Sequence, residues 1–235
     1  MTALLLLMQA LLWTCLGVFG DRQGVHRAIT DASPVVIESH HDELTSVEHH
    51  IITQYKKATG IPVSTQLSDL LQKWDAFALG FDYWLYAGTL LGQHCRKGVL
   101  HGDDDADVAM MENDFYRLAL TQLHTHHKNA AFQLIVRAGL HSDIIAGKFV
   151  NTKTGVYIDV VLFHNTHPMQ GNSDIVHYWS NSVCFACKTN PARLVLARKD
   201  VWPLKKCQFE NASVSCPRRV EKMCKAMYKS PFYNC

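Results

Sequence analysis

Asp103, Asp105 and Asp107 stand at alternate positions in the run HGDDDADVAMM, and a further aspartate, Asp159, interrupts the apolar run GVYIDVVLF. In an extended chain successive side chains point to opposite faces, so Asp103, Asp105 and Asp107 share one face while Ala106, Val108 and Met110 take the other. Aligned carboxylates repel each other unless protons or a cation neutralise them. A divalent ion does this most directly. Oxygen-only sites suit Mg²⁺ or Mn²⁺, which keep waters and complete their shells with a substrate's phosphates. The implied chemistry is therefore phosphate chemistry. Asp159 shares its strand face with Tyr157 and Val161, and an ionised carboxylate buried alone costs roughly several kcal/mol. A metal held jointly with Asp105 and Asp107 satisfies it; backbone N–H groups or an arginine are the alternative.

Two plainer readings of the acidic run compete. An isolated run of acids is more often a solvated loop, and only context separates the two. A calcium loop of the EF-hand kind also has aspartates at its first, third and fifth positions. It requires Gly at the sixth and Glu at the twelfth, where this chain has Val108 and Asp114.

The elements that must position these groups are legible from periodicity. Ser64-Thr65-Gln66-Leu67 caps a helix whose apolar positions Leu67, Leu70, Leu71, Trp74, Phe77 and Ala78 recur at helical spacing up to Gly80. Tyr83 to Tyr86 reads as a strand closed by Ala87-Gly88-Thr89, and Leu90-Leu91-Gly92 opens a short helical or looped segment. The chain re-enters a strand at Asp103, and Glu112-Asn113-Asp114 starts a second helix with Phe115, Leu118, Leu120 and Leu123 on its apolar side. Three strands follow, over 131–138, 144–151 and 155–163, punctuated by Gly139, Gly147 and the Thr152–Gly155 turn. Together they predict a mixed α/β (α+β) sheet packed with helices.

At 235 residues, 48% hydrophobic and 19% charged, the chain supports one domain plus a short stem. Residues 1–20 are apolar and end at Asp21-Arg22, which reads as a cleaved signal peptide, with a retained signal anchor as the alternative and the only expected tie to a membrane. Residues 21–64 form a polar stem whose His40-His41 and His49-His50 pairs read as surface histidines, and residues 65–235 form the domain. The net charge of +2 gives no case for a nucleic-acid partner. Its distribution is uneven: from Lys188 onward there are eleven Lys/Arg against three Asp/Glu, a basic pole able to face an anionic substrate. Seven cysteines lie beyond the leader, an odd number, so one thiol stays free or pairs between chains. Cys207 and Cys216 flank a short hairpin and form the first disulfide expected in an oxidising lumen. Cys184 and Cys187 form a CxxC with no second pair, so a disulfide or structural role outweighs zinc. Asn211-Ala212-Ser213 is a glycosylation sequon.

The glycine turn, the alternate aspartates on the next strand and the later lone aspartate together resemble the nucleotidyltransferase fold. More closely, GTLLGQHCRKGVLHGDDDADVAMMENDFYRL, VYIDV and DVWPLKKCQFENASVSCP resemble the LicD/fukutin-type phosphotransferases over roughly residues 66 to 230. The resemblance implies metal ligation by Asp105, Asp107 and Asp159, with Asp159 also as general base and Asp103 supporting the cluster. It implies that Gly88 and Thr89 lie against the nucleotide's phosphates and that Arg96 counters their charge. The implied activity is transfer of ribitol phosphate or phosphocholine from a CDP-alcohol donor to a glycan or glycoprotein acceptor, with Mg²⁺ or Mn²⁺, in the ER or Golgi lumen. His101-Gly102 departs from the family's Pro-Trp. A GT-A-type glycosyltransferase using a nucleotide sugar, and a non-catalytic secreted family member, are the competing functions.

Overall fold

A curled mixed sheet of eight strands carries the carboxylates. The computed structural model of the chain describes residues 35–38, 61–123, 131–137, 145–166, 174–178, 193–231 and 233–235. The strands are β1 (Val35–Glu38), β2 (Tyr83–Leu85), β3 (Ala106–Met111), β4 (Phe132–Arg137), β5 (Ile145–Asn151), β6 (Tyr157–Asn165), β7 (Ile175–Tyr178) and β8 (Arg193–Leu196). Across the sheet they run β1-β4-β5-β6-β3-β2, with β7 pairing β6 and β8 pairing β7. The pairs β1–β4 and β3–β6 are parallel and the others antiparallel. A separate hairpin joins β9 (Lys205–Phe209) to β10 (Ala212–Cys216).

Helix α1 (Val63–Phe77) lays Leu67, Leu70, Leu71 and Trp74 into the core, the stripe expected from their spacing. Trp74 meets Tyr83 and Phe149 edge-on at 5.9 Å and 5.4 Å between ring centroids. The expected cap at Ser64 is displaced by two residues: the helix starts at Val63, with Pro62 as its cap and no side-chain cap bond. It also stops short of Gly80, because the chain turns there with φ +88°. Helices α2 (Ala87–Arg96), α3 (Glu112–Leu123), α4 (Arg198–Val201) and α5 (Val220–Met227) complete the described elements. The short segment expected at Leu90 is thus a full ten-residue helix.

The expected strand from Asp103 begins instead at Ala106, where β3 first pairs with Ile158 of β6. Before that point the Asp103 N–H turns back to the Leu100 carbonyl at 3.2 Å, and Gly102 takes φ +83°, so this segment is a turn and lead-in. A bulky residue would be strained at that φ, so His101-Gly102 builds a different turn from the Pro-Trp of the resemblance.

The expected Cys207–Cys216 disulfide is present, clamping β9 to β10. A second, Cys95–Cys235, ties the end of α2 to the chain end across 140 residues and was not foreseen. Cys224 holds the free, buried thiol among the described residues. Two disulfides fit an oxidising compartment. No helix among the described residues is long and apolar enough to cross a membrane. The leader, the paired histidines, and Cys184 with Cys187 lie outside the described residues.

Candidate active site

Strand register brings the separated charges together. Asp107 stands opposite Asp159 in the parallel pairing of β3 and β6, and Asp159 stands opposite Lys148 in the antiparallel pairing of β6 and β5. Directly opposed residues share a sheet face, so two acids and a base form a row across three strands spaced about 5 Å apart. The Lys148 ammonium donates to Asp159 Oδ1 at 2.5 Å and sits 4.0 Å from the Tyr157 ring centroid. Lys148 is 8% exposed and Asp159 5%, so this is a buried ion pair. Asp159, expected as the third metal ligand, is here engaged by a lysine.

The turn between β2 and α2 fixes Asp107 from the other side. The Asp107 N–H donates to the Thr89 hydroxyl at 2.7 Å, and the Asp107 carbonyl accepts the Tyr86 N–H at 3.0 Å. Thr89, expected against phosphates, is buried and anchors β3 through its hydroxyl oxygen. Ala87 in this turn has φ +41°, a left-handed conformation that costs an alanine about 1 kcal/mol. Gly88 matters through space: a Cβ there would lie 3.0 Å from Asp103 Oδ2, so its bare backbone admits that carboxylate to the first turn of α2. The partial positive charge of a helix start favours an acid at that place. Arg96, expected to counter phosphate charge, is exposed at the opposite end of α2, about 12 Å away along the helix axis. No described contact joins it to the carboxylates.

Electrostatics mark the cluster as crowded with carboxylates. Burial, then the neighbouring Asp105, Asp159 and Asp103, push the Asp107 carboxyl well above the usual carboxylate range, against the pull of Lys148. Burial and then Asp105 and Asp104 raise Asp103 to about 6. Asp105 is raised by burial and Asp104, while Lys148 and a hydrogen bond from Tyr157 oppose the shift. Burial followed by Asp105 raises the Tyr157 phenol, which therefore keeps its proton and donates it. Tyr228 and Tyr86 are raised too, by burial first and with Asp107 among the further causes, so both phenols stay neutral beside the cluster.

Among the described residues the Lys148 ammonium pairs with Asp159 and acts on Asp105 and Asp107. Among the described residues no three His, Cys, Asp or Glu side chains converge into a complete ligand set. The donor set that fits a cation is the oxygen pair Asp105 and Asp107, the pattern of Mg²⁺ sites that use one or two carboxylates and leave the remaining positions to water and phosphate. Sequence reasoning missed Lys148, Tyr86 and Tyr228. Lys148 carried a signal: it is a lone charge in the apolar strand IAGKFVN, and a hairpin folded about the Thr152–Gly155 turn sets it opposite Asp159.

No curated protein matches the chain. Residues 80–219 match the family model described as the LicD/FKTN/FKRP nucleotidyltransferase domain, a stretch that holds the glycine turn and every charged residue of the row. With that match covering more than half of the 235 residues, the chain belongs to the LicD/FKTN/FKRP nucleotidyltransferase-domain family.

Proposed function

We propose that this protein transfers an alcohol phosphate, of the ribitol phosphate or phosphocholine type, from a CDP-linked donor to a hydroxyl of a glycan or glycoprotein in the ER or Golgi lumen. Membership of the family implies a transferase of the phosphosugar or phosphoalcohol type. The observation that carries the finer reading is the register of Asp107 beside Asp159, with Asp103 and Asp105 charging the same site. Such an excess of carboxylate is unfavourable in the free protein and becomes favourable once a cation and a phosphate-bearing substrate enter.

Asp105 and Asp107 would hold Mg²⁺ or Mn²⁺, which supplies charge neutralisation for the diphosphate and the departing nucleoside monophosphate. The acceptor hydroxyl oxygen bonds to the distal phosphorus of the donor, the bridging P–O bond breaks, and CMP leaves. Asp159 takes the hydroxyl proton. Lys148 holds that carboxylate in place and offsets its charge. Asp103 and Tyr157 act on Asp107 and Asp105 rather than on substrate. The two disulfides support a lumenal site, and residues 1–20 would deliver the chain there.

A donor screen on the purified protein, read by CMP release, tests the proposal. CDP-ribitol or CDP-choline turnover that depends on Mn²⁺ or Mg²⁺ is expected. Turnover of nucleotide sugars with none of CDP-alcohols would replace the proposal by a glycosyltransferase.

A further inference from the structure

A second feature lies at the other end of α2, away from the carboxylates. The C-terminal end of that helix, the β9–β10 hairpin and the start of α5 enclose a cleft of about 670 Å³, within the size range of ligand sites. Six cations line it: Lys97, Lys205, Lys206, Arg218, Arg219 and Lys222, against one acid, Glu221. Part of this charge is neutralised. Lys206 meets Asp75 at 2.6 Å, Lys222 and Arg219 meet Asp200 at 2.6 Å and 3.5 Å, and Glu221 is held by Lys225 at 2.5 Å. Lys97, Lys205 and Arg218 have no carboxylate partner among the described residues, and all three are exposed. Like charges gathered in a concave wall reinforce each other's potential and favour an anion that spans several of them.

We infer that this cleft binds an anionic oligosaccharide bearing sulfate or carboxylate groups. Its concavity does not suit a flat lipid surface. No Phe, Tyr or Trp lines it and His94 is its one ring, so it lacks the row of stacking platforms on which single-stranded nucleic acids rely. The disulfides favour a lumenal compartment, where anionic glycans are the abundant polyanions. The cleft stands apart from the metal and donor chemistry proposed above, and its test needs neither donor nor metal, so either proposal can fail without the other.

The probe is a fluorescent heparin-derived hexasaccharide, titrated into the full lumenal chain by anisotropy. Wild-type protein is expected to bind it with an affinity that falls steeply with salt, and not to bind a neutral hexasaccharide of glucose. Lys205→Gln and Arg218→Gln should each weaken binding severalfold, and the double variant roughly tenfold or more, an order-of-magnitude expectation for two charge contacts. Lys73→Gln, a charge removed from exposed α1 outside the cleft, should leave it unchanged. These conservative exchanges at exposed positions keep the fold, which a thermal melt verifies. Binding by the double variant within twofold of wild type overturns the inference. So does equal binding of the neutral hexasaccharide, or tighter binding of a single-stranded oligonucleotide of matched charge.

Discussion

Two aspartates in this molecule keep different company. Asp200, at α4, is 3% exposed and has two cations to itself, Lys222 and Arg219, whose outer parts reach solvent. Asp107, on β3, has three carboxylate neighbours and feels, among the described residues, the lysine that pairs with Asp159. A charge matched by cations is a structural tie: it joins α4 to α5. A group of carboxylates that raise one another's pKa is relieved when a cation arrives. The contrast separates a joint from a site on physical grounds, without reference to any relative.

The largest expected effect breaks the comparison at its centre. Asp107→Asn should lower metal-dependent CMP release on the order of 10³-fold, while the fold is kept or made slightly more stable, because a charge crowded by Asp105, Asp159 and Asp103 is removed. Unchanged turnover in that variant would remove Asp107 from the metal site. Next is Lys148→Met, which takes away the ammonium paired with Asp159. Breaking a buried pair from one side costs about 3 kcal/mol, to be seen as a fall in Tm in metal-free buffer. Added Mn²⁺ should recover more Tm in this variant than in wild type; a loss that Mn²⁺ does not touch would make Lys148 a purely structural residue.

Asp200→Asn should cost less, about 1–2 kcal/mol, because Lys222 and Arg219 are half exposed and water reclaims them. Its transferase activity per folded molecule should stay at the wild-type level, where Asp107→Asn loses it. The smallest effect is a pH dependence. Burial and the neighbouring Asp105 and Asp104 raise Asp103 to about 6 in the folded protein from its ordinary 3.8, so the folded state binds this proton more tightly than the unfolded chain does. Its charge therefore opposes folding above about pH 6, and the penalty fades as the pH falls toward 4. Asp103→Asn should be more stable than wild type at neutral pH by less than about 1 kcal/mol, since the group is half exposed, and should lose that advantage near pH 4. Paired melts of the two proteins across this range measure it. An advantage that stays constant with pH would show that Asp103 does not titrate as described.

His177 sets a boundary on such measurements. Burial lowers its imidazole to about 4 from 6.5, although its Nδ1 lies 2.9 Å from the Leu162 carbonyl. The unfolded chain takes up this proton first, so the neutral ring's contribution is whole above about pH 6.5 and is lost as the pH falls toward 4, at about 1.4 kcal/mol for each pH unit between. Comparing wild type with Asp103→Asn cancels this background.

Much of the architecture follows from local pattern. The stripe from Leu67 to Trp74 can bury itself only as a helix, and VYIDVVLF only as an inner strand, because apolar periodicity fixes which face turns inward. The short Cys207–Cys216 loop was equally legible, since it depends on neighbours along the chain. Other features were not. The start of β3 at Ala106 rather than Asp103 depends on where β6 begins to pair, which no property of DDDAD contains. The Cys95–Cys235 bridge joins positions 140 residues apart, and an odd set of cysteines admits many pairings.

Composition and spacing alone determined that this chain builds a mixed sheet around an acidic group. Tertiary structure decided how the charges are shared: that Lys148 answers Asp159, that Thr89 holds the β3 backbone, and that Arg96 points elsewhere. The reason is range. Side-chain alternation acts over two residues and a helical turn over four, whereas the balance of charge in a buried site is summed over every strand that reaches it.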